Sequence, residues 1–146
     1  MIDKVFEIDG EDVKTCAKRE LWYYGEGLKE TGQPDFASQL QASTEDDPTL
    51  SRHLETALSS LAILIPNSFI SVAAGSRISL TCSLPANFDT RQEGAISLQI
   101  QSYLVYSIVS LWLNTIHSEK AKDFETLVKE QLVLINNALS KRIIPQ

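Results

Sequence analysis

Residues 95–117 read AISLQIQSYLVYSIVSLWLNTIH, and no side chain from Ala95 to Ile116 carries a formal charge. An uncharged stretch of that length suits a membrane span, the central helix of a globular core, or a helix shared between subunits. Its polar side chains decide against lipid. Ser97, Gln99, Gln101, Ser102, Ser107, Ser110, Asn114 and Thr115 are spread along it, and buried amides without partners are costly in hydrocarbon. No cluster of lysine or arginine flanks either end, as a spanning helix would favour. The stretch therefore reads as a helix of a soluble protein. Ile96, Ile100, Tyr103, Leu104, Ser107 and Leu111 make one stripe, while Leu98, Val105, Ile108, Val109 and Trp112 make others. A helix apolar around most of its circumference is buried on several sides. In a chain of 146 residues some of that burial is expected to come from a second copy. Val105, Ile108 and Trp112 are the expected contacts, and a carboxylate at Val105 or Ile108 is expected to break assembly more than it unfolds the monomer.

Working outward, the segment before this helix changes period. Ile78, Leu80, Cys82 and Leu84 alternate with Arg77, Ser79, Thr81 and Ser83, a two-residue repeat that predicts a half-buried strand. With SFISV before it and Gly75 at the turn, residues 68–84 predict a β-hairpin. A lone hairpin is marginal in water, so it is expected to lie on the helices or to take strands from a neighbour. Its small polar face, Arg77, Ser79, Thr81 and Ser83, is expected to accept another strand or a partner's surface.

The other segments read as helices. After the short opening VFEI, Asp9 is a plausible N-cap for a helix over about 10–31, with Val13, Ala17, Leu21, Tyr24 and Leu28 on one face. Gly25 and Gly27 weaken its second half, which is expected to kink or end early. Residues 34–47 read as a short helix or loop with Phe36 and Leu40 as anchors. Asp47-Pro48 is a start signal, acceptor at the N-cap and proline at the first helical position. It opens a helix over about 48–65 with Leu50, Leu54, Ala57, Leu58, Leu61 and Ile65 inward. The uncharged helix spans about 90–117, and a break near His117 leads to a last helix over about 118–142. In that helix Ala121, Phe124, Val128, Ile135 and Ala138 face inward. Lys141 and Arg142 sit where cations favour a helix C-terminus. Ile143, Ile144 and Pro145 follow as an apolar segment that no helix period explains, and they are expected to dock on a partner. The fold class is mainly α: one domain over 1–146, a helical bundle with a β-hairpin inserted between helices.

Composition narrows the function classes. The net charge of −6 argues against a protein that binds nucleic acid by neutralising phosphates. Nothing in the first fourteen residues resembles a signal peptide, which predicts folding in a reducing cytoplasm. Cys16 and Cys82 read as two small core side chains. His53 and His117 lack neighbours at metal-ligand spacing. The acidic run Glu45-Asp46-Asp47 lacks the alternating ligands and glycine of a calcium loop. GEG at 25–27 and AAGS at 73–76 are not phosphate loops, and no serine sits in a nucleophile elbow. Trp22, Tyr23 and Tyr24 read as a helix-to-core anchor, with a partner contact as the other reading. No catalytic, cofactor-binding or metal site is expected.

The order of parts resembles the small head–tail connector (adaptor, or head-completion) proteins of tailed bacteriophages. The resemblance starts at DDPTLSRHLETALSSLAILI, continues through the hairpin ending SLPANFD, and runs through AISLQIQSYLVYSIVSLWLNTIHSEKAKDFETLVKEQLVLINNALSKRIIP. It covers roughly residues 46–146, and the N-terminal LWYYGEG lies outside it. It implies a homo-oligomeric ring, commonly a dodecamer, docked beneath the portal and against tail or neck proteins. DNA would pass through its lumen without sequence-specific binding, with no membrane, cofactor or active site involved. The location implied is the virion neck, after synthesis in the bacterial cytoplasm. The alternative is a cytoplasmic helical adaptor or regulator that binds one protein partner, and a third reading is a small enzyme or ligand carrier with a pocket between helices.

Overall fold

A computed structural model of the chain describes residues 1–30, 46–73, 77–114 and 116–143. Phe36, Leu40, Glu45, Gly75, Ile144 and Pro145, and the side chain of Leu28, lie outside the described part. The element order is β1 (Ile2–Asp9), α1 (Gly10–Glu30), α2 (Asp47–Leu64), β2 (Ser68–Ala73), β3 (Arg77–Leu84), a 3-10 turn (Thr90–Gln92), α3 (Glu93–Asn114) and α4 (Ser118–Leu139). The fold is mainly α, with the expected hairpin between α2 and α3.

The hairpin is not alone. The opening segment is a strand, and β1 pairs antiparallel with β3, from Ile2 opposite Leu84 to Asp9 opposite Arg77. β2 pairs with the other edge of β3, so the order is β1-β3-β2 and β3 is central. The alternation in IDKVFEID, with Phe6 and Ile8 inward, was available in the sequence, and it supplies the third strand that a stable sheet needs. β3 consequently has no free edge for a neighbour's strand.

α3 is the axis of the molecule. It packs most extensively on α4, and α1, α2 and β1 cover other parts of it. Ile96, Ile100, Leu104, Ile108 and Leu113 are among its fully buried side chains. By length and composition α3 passes for a membrane span, and its burial inside the chain accounts for that apolar content. One continuous core joins α3 to Phe6 and Ile8 of β1, Val13, Ala17 and Leu21 of α1, the predicted face of α2, and Ile78, Leu80, Cys82 and Leu84 of β3.

The helix ends follow their local chemistry. Asp9 caps α1, accepting from the Glu11 amide at 2.9 Å, and α1 runs unbroken through both glycines to Glu30. The N-cap of α2 is Asp46 rather than Asp47. Asp47 instead forms an ion pair with Lys18, tying α1 to the first turn of α2. α4 stops at Leu139, short of the expected 142. There Arg142 Nη1 donates to the carbonyls of Leu139 at 2.7 Å and Lys141 at 2.9 Å, satisfying acceptors at the helix end.

Candidate interaction surfaces

The residues that chemistry would use are scattered. His53 lies on α2, and burial, with Arg52 nearby, pushes its pKa down. His117 occupies the N-cap position of α4, where its Nδ1 hydrogen-bonds the Tyr24 hydroxyl at 3.2 Å. Lys120 stands 5.5 Å from the centre of the Tyr24 ring. Tyr24 thus pins α1 to the α3–α4 elbow, and burial raises its pKa. Asp89 is the most elaborately held carboxylate: it accepts from the Arg91 amide and from both Nε and Nη2 of that side chain. These hydrogen bonds hold its carboxyl below the usual range. The arrangement fastens the entrance to α3. Among the described residues no three His, Cys, Asp or Glu side chains gather closely enough to hold a metal ion.

The expected contact residues fall into three situations. Val105, Ile108 and Trp112 are 7%, 0% and 9% exposed, covered by the chain's own elements. The apolar residue that α3 does show to solvent is Leu98, 68% exposed. Arg77, Ser79 and Thr81 do lie on the outer face of the sheet, exposed or half-buried, opposite the face that meets the helices. Ile143 is half-exposed, but its amide donates to the Asn87 carbonyl at 2.8 Å, and the Asp89 amide donates to the Lys141 carbonyl at 3.0 Å. The stretch 141–143 is therefore anchored on its own subunit by its backbone, while the Ile143 side chain remains half in water.

The aromatic cluster also divides. Tyr24 is the core anchor. Trp22 and Tyr23 are 50% and 62% exposed and touch each other edge to face at 5.6 Å.

Sequence reasoning missed several exposed apolar side chains. Val5 and Phe69 are 55% and 61% exposed on the outer sheet face, and Ile63 at the end of α2 is 82% exposed. The signal for Val5 was the alternation of the opening segment, which puts it out when Phe6 is in. For Phe69 it was the register against Thr81, which no single strand reveals. A groove of about 350 Å³ also runs between α2 and α4 over α3, lined by Ala57, Ser60, Leu64, Leu111, Val128 and Leu132. Its exposed surface is mainly apolar, and Thr56, Tyr103, Ser107, Ser110, Glu125 and Lys129 also belong to its lining.

Comparison of the chain with protein-family models, with curated proteins and with solved structures returns no match.

Proposed function

We propose that the chain is a structural subunit that works by assembling with copies of itself, in the manner of the ring-forming head–tail connectors of tailed bacteriophages. The observation that carries this reading is the position of the apolar surplus. The core is closed around α3, yet Ile63, Phe69, Val5, Leu98, Trp22 and Tyr23 remain half or more exposed. Val5 and Phe69 share one row of the outer sheet face and Trp22 touches Tyr23, and apolar groups clustered on a surface are where proteins meet partners. The order of helices and hairpin supports the connector reading specifically, and so does a net charge of −6, which suits a channel through which DNA slides without being gripped. In this reading the ring docks between portal and tail, and needs no cofactor.

The groove between α2 and α4 favours one other reading, a helical adaptor that takes an amphipathic helix of a single partner. The two separate in one experiment. Purified chain, measured by light scattering after size exclusion and imaged by negative stain, should form closed rings under the connector reading. A monodisperse monomer at all concentrations, with no ring in the images, would refute it and leave the adaptor.

A further inference from the structure

The outer face of the sheet has a definite chemistry, read row by row across the strands. Asp3 stands opposite Ser83; Val5 opposite Thr81, which faces Phe69; Glu7 opposite Ser79, which faces Ser71; and Asp9 opposite Arg77. Only the last row sets opposite charges together, and Asp9 is also engaged with the Glu11 amide. Asp3 and Glu7 stand against serines. They are four residues apart on one strand, about 14 Å at the rise of a strand, with Val5 between them. The face is therefore an apolar bar, Val5 and Phe69 flanking Thr81, rimmed on the β1 side by two carboxylates that no cation faces across the strands.

A surface of that kind selects its cover. The apolar bar favours an aliphatic anchor, and the two carboxylates favour cations and penalise acids. One stretch of the same chain combines the required parts in sequence: Lys141, Arg142, Ile143 and Ile144. Lys141 is exposed and Ile143 half-exposed, while Arg142 has one nitrogen engaged at the end of α4. On its own subunit this stretch is already held elsewhere. The Ile143 amide donates to the Asn87 carbonyl, and Arg142 lines a pocket with Cys82, Ser83 and Leu84 at the end of β3.

We propose that the outer sheet face seats the stretch beginning at Lys141 of a second copy of the chain, with Ile143 against Val5 and Phe69 and Lys141 on the acidic β1 rim that Asp3 and Glu7 form. This rests on the assembly reading above and names its contact. The two surfaces differ, so the contact is head-to-tail, and such a contact closes into a ring when its rotation allows. One stretch on one face falls short of the roughly 1,200 Å² of a self-standing interface. It acts as one contact among several repeated at every junction.

Charge exchange followed by sedimentation tests this directly. Asp3→Lys with Glu7→Lys should raise the dissociation concentration at least tenfold, and Lys141→Glu should do the same, because each juxtaposes like charges (about 1.4 kcal/mol per tenfold). Combining the three should restore assembly to near the starting value. All three positions are exposed, so the circular dichroism should not change. Failure of the combined variant to recover, or indifference of assembly to every exchange, overturns the proposal while leaving assembly itself standing. A chain that is monomeric before any substitution overturns both. As a second arm, a labelled peptide of residues 139–146 should bind the chain, diluted to its monomer, more weakly after Phe69→Ser. Equal binding of a peptide with the same residues in reverse order would show that any cationic segment suffices, and would overturn the assignment to a second copy.

Discussion

α3 and the outer face of the sheet are opposites in sequence and in structure. α3 is uncharged from Ala95 to its end and invites an interface on its surplus of apolar residues, yet the chain itself covers Val105, Ile108 and Trp112. The sheet strands look modest, short and mixed with serine and charge, yet they leave Val5 and Phe69 in water. The contrast teaches that apolar density along a segment reports where the core is. Apolar residues left exposed after the core has closed mark where the proposed assembly contacts are sought.

The largest effect that would break this contrast is a carboxylate at Ile108. Because that side chain is fully buried in the monomer, Ile108→Asp should unfold the chain rather than merely dissociate it. An unpaired buried charge costs several kcal/mol, about 4 or more, which would consume much of a small domain's stability. Urea unfolding followed by circular dichroism measures it. A folded variant with lost assembly would return α3 to the interface.

Thr81→Pro comes next. Thr81 sits in the central strand, paired on both sides, where proline removes a ladder hydrogen bond that an edge strand could spare. A loss of about 1–3 kcal/mol is expected in the same measurement. A variant of unchanged stability would mean that β3 is not central in solution.

On the buried face of the same strand, burial pushes the Cys82 thiol up to about 11 from an ordinary 9.0. In the unfolded chain the thiol ionises first, so the unfolded state binds fewer protons as pH rises through 9, and stability falls until the folded thiol also ionises near 11. The fall is on the order of 2 kcal/mol. Cys82→Ala should flatten that part of the alkaline stability profile, and an unaltered slope would contradict the burial.

The smallest effect on folding is expected at Phe69. Phe69→Ser lies on the outward face and should change the unfolding free energy by no more than about 0.5 kcal/mol, while weakening assembly. A marked loss of stability would place Phe69 in the monomer's own core.

Much of the fold was legible because period and capping are local properties. The inward faces of α2 and β3 follow from residue spacing alone, and Arg142 was recognisable as a cation at a helix end. The misreadings share a physical cause. VFEI was too short to declare itself a strand without the β3 edge it completes. Gly25 and Gly27 carry a local penalty that the packed helix overrides. Trp22, Tyr23 and Tyr24 are consecutive, so a helix turns them in different directions and only Tyr24 reaches His117. The outer sheet face needed register: Val5, Thr81 and Phe69 are far apart in the chain and form one row only after both pairings exist.

The account turns on whether the exposed apolar surface is covered by copies of the chain, and sedimentation equilibrium of the unaltered protein over a wide concentration range asks this most directly. The account predicts a species at a multiple of 16.2 kDa, dissociating on dilution or after Phe69→Ser with the fold intact. A single species of 16.2 kDa at every concentration, indifferent to that substitution, would contradict it.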